Sequence, residues 1–201
     1  MHIYQRVCTI AAAALVCGIA LAGRPAAAQT PPIQPGQVII SELRLRGPEG
    51  PTDEFVELYN NTDQGIVVQA TDNSAGWTVA VSNGQITGAL FTIPNGTRIP
   101  ARGHLLGANS TGYSLGGYPS GNPNILTAAA VVQTPFATAT PDQTWQIDVP
   151  DGSGVALFST ANGTNLTTTT RLDAFGFTVS PALYREGACF PTVVSVGLEH
   201  T

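Results

Sequence analysis

Lysine is absent from this chain, and all eight basic residues are arginines. Charged side chains of either sign make up only 10% of the sequence, and no run clusters them. Nonspecific binding to a phosphate backbone needs clustered Lys/Arg, so this composition excludes nucleic acid as the expected partner. Cysteine is nearly as scarce. Of three cysteines, Cys8 and Cys17 lie in the first 28 residues, which leaves Cys189 alone in the remainder. An intramolecular disulfide is then impossible there, even in an oxidising compartment. No long amphipathic period marks a helix, and no repeat of solenoid length occurs.

The amino terminus carries what the rest lacks, a continuous apolar run. Arg6 supplies a positive start, residues 7–22 are apolar, and Ala26, Ala27 and Ala28 offer small residues for cleavage. This pattern predicts a signal peptide over 1–28, cut after Ala28. The run is too short and too rich in Ala and Gly for a membrane span, which needs about 20 strongly apolar residues. Lipid attachment at Cys17 is disfavoured, because Cys17 sits inside the apolar run behind Ala14, Leu15 and Val16. The expected product is secreted, extracellular or periplasmic, with no membrane span after cleavage. Residues 29–201 carry six arginines against thirteen acids, a net charge of −7. The arginine-only, Ala/Gly/Thr-rich composition looks bacterial.

Residues 29–37 hold three prolines and no apolar period, the signature of an extended linker. From Val38 onward, short β-branched and aromatic runs alternate with Gly/Pro/Asn/Asp clusters, as in an all-β sandwich or barrel. Strands are predicted at 38–45, 55–60, 76–81, 89–93, 104–108, 144–147, 154–159 and 171–177. Between Pro94-Asn95-Gly96 and Pro100-Ala101-Arg102-Gly103 lies a further short piece, 97–99. Ser82-Asn83-Gly84 is a turn in which Asn-Gly tolerates positive φ. The irregular stretch 109–143 combines a Gly/Tyr-rich half with the run 125–132; loops of that length are usually functional or disordered. Arg44 and Arg46 alternate with Leu43 and Leu45, which places both arginines on one solvated strand face. The domain is expected over 38–178, followed by a tail over 179–201.

Six segments in order resemble the lamin tail domain. They are I-S-E-L at 40–43, D-E-F-V-E-L-Y-N-N at 53–61, G-W-T-V at 76–79, F-T-I-P-N-G-T-R-I-P-A-R-G-H-L-L at 91–106, G-S-G-V-A-L-F at 152–158 and T-R-L-D-A-F-G-F at 170–177. The resemblance implies an immunoglobulin-like β-sandwich with no catalytic residues, cofactor or metal of its own. In bacteria such domains are often appended to secreted nucleases or phosphatases. The 109–143 stretch is longer than that pattern has, and related sequences look as though they continue beyond residue 201, so a truncated or out-of-frame ending is expected.

The candidate site residues point mostly to structure. Glu42, Asp53, Glu54 and Glu57 form the main acidic cluster, and a Ca²⁺ ion takes six to eight oxygens. Strand alternation puts Phe55, Glu57 and Tyr59 on one face and Glu54, Val56, Leu58 and Asn60 on the other. Glu54 and Glu57 therefore point apart, and capping or turn roles are favoured. Asp142, Asp148, Asp151 and Asp173 are scattered. His104 and His200 are the only histidines after the leader, neither in a recognisable hydrolase motif, and Cys189 has no base nearby in sequence. Trp77 is expected in the core. Trp145 is expected to pack as well; exposed beside Tyr113 and Tyr118 it would instead make a sugar-stacking face. The sequons at Asn60, Asn95, Asn109, Asn162 and Asn165 read as turn residues.

The function expected from all this is secreted and non-enzymatic, attachment to a protein or surface glycan. The alternative is an accessory or carbohydrate-binding module of a secreted hydrolase. A metal-dependent phosphodiesterase using Glu42, Asp53 and Glu57 is a remote third.

Overall fold

Ten strands and two 3₁₀ turns account for the regular structure in the computed structural model, which describes residues 32–47, 50–113, 140–177 and 179–187. The predicted leader, Cys189, His200 and Tyr118 lie outside the described residues. One sheet has the order β1 (Val38–Arg44), β2 (Phe55–Asn60), β7 (His104–Asn109), β8 (Gln143–Trp145), and the other β10 (Arg171–Phe175), β9 (Gly154–Phe158), β4 (Gly76–Ser82), β5 (Thr87–Pro94). All pairings are antiparallel except β7 with β8. A small ribbon pairs β3 (Ile66–Val67) with β6 (Arg98–Ile99). The chain is thus all-β, and the two four-stranded sheets share one core.

The core follows from side-chain alternation. In β2, Val56 and Leu58 are fully buried while Phe55, Glu57 and Tyr59 are only half-buried. They meet Leu105 of β7 and the inward residues Val79, Val81, Val155 and Leu157 of the facing sheet. Trp77 fills the core as predicted, and its indole N–H donates to the Gln69 carbonyl at 2.9 Å.

Strands β4 and β9 break the alternation, because every residue in both is buried. Their outer face carries Ala80, Ala156 and Phe158, and a second apolar layer of Tyr184, Leu166 and Leu183 covers them. Phe158 and Tyr184 meet edge to face with ring centroids 5.8 Å apart. The cover comes from a 3₁₀ turn at Ala182–Tyr184. Arg171 clamps it by donating from Nη1 to the carbonyls of Ala182, Leu183 and Arg185 at 3.0–3.2 Å. Gly154 and Gly176 make room beneath, since a Cβ at either would collide with the Tyr184 carbonyl oxygen. The described part of the predicted tail, 179–187, therefore packs onto the body. So does Ile33 in the predicted linker, which lies against the main core, with Gly36 N–H donating to the Leu172 carbonyl.

The two sheets meet at both margins. At one, the Ile40 N–H donates to Asp173 Oδ2 at 2.6 Å. Each strand there carries a one-residue bulge, Ser41 in β1 and Leu172 in β10. At the other, Phe91 of β5 stacks on Trp145 of β8, centroids 5.7 Å apart and rings 13° from parallel. Gly107 of β7 leaves space for that ring, because a Cβ there would overlap Phe91.

Candidate functional site

The first residues of the acidic cluster are interior. Asp53 is fully buried and pairs with Arg44, whose Nε also donates to the Asp53 carbonyl at 2.9 Å. The Arg44 guanidinium lies 5.0 Å from the Phe55 ring centroid and 5.9 Å from that of Tyr113. Burial raises the Tyr113 phenol above its ordinary pKa. A Cβ on Gly47 would strike the Asp53 carboxylate, so the Gly/Pro turn between the strands brings the acid back to the arginine. This corrects the prediction that Arg44 and Arg46 share a solvated face. β1 ends at Arg44, so alternation no longer governs Arg46, which pairs with Asp151 at the surface at 2.8 Å. Arg44 turns inward because Asp53 supplies its counter-charge.

Glu54 is also fully buried. Its carboxylate accepts from Asn109 Nδ2 at 2.8 Å, Trp145 Nε1 at 3.2 Å and Val149 N at 2.8 Å. Burial raises its pKa above the usual carboxylate value, and the three donors oppose that shift. Glu54 thereby ties β8 and the segment after it to β2. Asn109 adds a bond from Nδ2 to the Ile147 carbonyl and accepts from Thr111 N.

The remaining carboxylates are dispersed. Asp142 accepts from Leu106 N, and Asp173 closes the margin described above, where burial raises its pKa. Asp148 is exposed. Glu42 stands opposite Glu57 across β1 and β2. Among the described residues, no three His, Cys, Asp or Glu side chains are gathered as a metal site.

A different constellation lies on the outer face of β1, β2 and β7. Glu57 Oε1 accepts from Ser41 Oγ at 2.8 Å and lies 2.8 Å from His104 Nδ1. Tyr59 sits beside His104, ring centroids 4.9 Å apart and tilted by 42°. Next to them the turn 100–103 closes with Gly103 N–H donating to the Pro100 carbonyl, and Arg102 occupies the left-handed region at φ 54°. That conformation costs a non-glycine residue about 1–2 kcal/mol and persists only where the surroundings enforce it. Here they do. Arg102 donates from Nε to Asp63 at 2.9 Å and from Nη1 to both oxygens of Asn61 at 3.1 Å. The pairing raises the Arg102 pKa and lowers that of Asp63.

The arrangement offers an exposed cation, a carboxylate and a tyrosine–imidazole pair held at fixed spacing. Ser41 donates to a carboxylate and not to an imidazole, so it lacks the contact that activates a serine nucleophile. In the sequence Glu57 and His104 stand out separately, while nothing there marks Arg102 and Tyr59 as their neighbours. The Pro-Ala-Arg-Gly turn gave no signal of the left-handed residue, since glycine in its last place also suits a type I turn, whose third residue takes a negative φ.

Of the three aromatics considered for sugar stacking, Tyr118 lies outside the described residues, and the other two do not stand exposed. Trp145 is buried between Phe91 and Glu54, and Tyr113 is half-buried against Phe55. Of the sequon asparagines predicted as turn residues, Asn95, Asn162 and Asn165 lie at turns, whereas Asn60 and Asn109 are the buried last residues of β2 and β7. Asn95 bridges Ala70 N and the Ser74 carbonyl, Asn162 caps a 3₁₀ turn and Asn165 donates to Asp72. In comparisons with known proteins, neither a family model nor a curated sequence matches this chain.

Proposed function

We propose that this chain is a secreted, non-enzymatic, immunoglobulin-like β-sandwich of lamin tail type. In this reading it attaches to a protein or surface glycan through the outer face of β1, β2 and β7. The observation that carries the reading is Arg102, a strained and exposed cation locked beside Tyr59, His104 and Glu57. Groups held at fixed spacing lose little entropy on binding, which favours a recognition surface. The interior acids support the same reading, because Asp53 and Glu54 are consumed by Arg44 and by the donors from Asn109, Trp145 and Val149.

The test measures retention of labelled protein on isolated bacterial envelopes and on a glycan array. The Tyr59→Ala/Arg102→Ala double variant is expected to bind at least about tenfold more weakly, about 1.4 kcal/mol, with circular dichroism showing it folded at the assay temperature. Equal retention of parent and variant would remove this face from the proposal. Turnover of a nitrophenyl phosphodiester abolished by Glu57→Ala would overturn the non-enzymatic reading.

A further inference from the structure

The margins of the two sheets are not equally protected. β1 and β10 lie together, with the Ile40 N–H on Asp173 and the Gly36 N–H on the Leu172 carbonyl. β8 has only three residues. β5 runs for eight, from Thr87 to Pro94, and pairs with β4 on one side. Beyond it the sheet order ends, with no further strand among the described residues. Such a strand presents a row of unpaired N–H and C=O groups, and proteins ordinarily guard it with Lys, other charges or interior Pro.

β5 has almost none of these guards. The whole β4–β5 hairpin, residues 73–97, contains no charged residue, between Asp72 and Arg98. A one-residue bulge at Leu90 and the terminal Pro94 are its only interruptions. Ile86 at the hairpin tip is 54% exposed, and Ala89 on the strand is exposed too.

We infer that β5 is a self-association edge, on which a second copy of this chain adds its own β5 in antiparallel fashion. The charge distribution selects the occupant. Residues 29–201 carry a net charge of −7, so two copies repel over most of their surfaces. The hairpin itself carries no charge, so two β5 strands can meet without like charges facing each other. A two-fold axis across β5 makes the contact self-complementary and closed, joining the sheets of two copies into one eight-stranded sheet. The surface is distinct from the Arg102 face, so the two proposals stand or fall separately.

Sedimentation equilibrium of the purified protein from low to high micromolar concentration is expected to show reversible dimerisation. Ala89→Lys places two added charges in the shared ribbon and should weaken it about tenfold or more. Gln64→Lys, the same charge change at an exposed loop position, should leave it unchanged. Hydrogen exchange of the parent should show amides of 87–94 slowing as concentration rises, which tests the edge even if Ala89→Lys folds poorly. A parent that stays monomeric throughout, a dimer indifferent to Ala89→Lys in a folded variant, or exchange at 87–94 independent of concentration would each overturn the inference. So would a monomer that instead captures only a neutral extended peptide.

Discussion

Three donors converge on the Glu54 carboxylate, and none of them can accept in return. That asymmetry makes the residue irreplaceable by its own amide. In Glu54→Gln one oxygen becomes an NH₂ group facing N–H donors, and buried donors without acceptors cost about 1–3 kcal/mol each. Glu54→Gln is expected to destabilise by about 2–3 kcal/mol on that scale, and Glu54→Ala by more. Urea unfolding followed by tryptophan fluorescence measures both, with Trp145 itself a contact of the altered group. A Glu54→Gln midpoint equal to the parent's would show that the network contributes nothing. Arg44 is the counterpart in charge. Alternation predicted it outside, and the countercharge that takes it inside arrives nine positions later at Asp53. No periodic rule registers a partner delivered by a turn.

Among the elements, all eight predicted strands form, with ends displaced by up to two residues. Their legibility came from the turn residues between them, which stop each run in a way that propensity alone does not. The ribbon of β3 and β6 was harder to read, because two residues cannot display a period; only the 97–99 piece hinted at it. The cover over β4 and β9 left no local signal either. Its evidence lies in the Ala residues of those strands and in Gly154 and Gly176, which are small because Tyr184 lies on them. This element yields its own prediction. Arg171→Gln removes the clamp on three carbonyls, and should raise hydrogen exchange and protease cleavage across 179–187 at a global cost of about 1 kcal/mol. Unchanged exchange there would mean that packing of Tyr184 alone holds the cover.

For the whole molecule, the titrating carboxyls pull in opposite directions. Glu54 and Asp173 are raised by burial, so between their ordinary and native pKa values the native state binds more protons than the unfolded chain. Stability contributed by them falls as pH rises through that window. Asp72 is lowered by bonds from Ser74, Thr160 and Asn165, so its contribution is lost as pH falls below 3.8. The melting temperature should therefore peak at mildly acidic pH and decline toward neutrality. Asp173→Asn keeps an acceptor for the Ile40 N–H and should flatten that decline; a parent whose stability climbs steadily to neutral pH would contradict the assignment. The Ile40–Asp173 bond also has a kinetic side, since it joins positions 133 residues apart. Closing so long a loop costs entropy before the contact returns anything, and topologies dominated by such contacts fold slowly. A ribosome delivers β1 more than a hundred residues before β10, so through that stretch of synthesis β1 must wait for the partner that caps its edge.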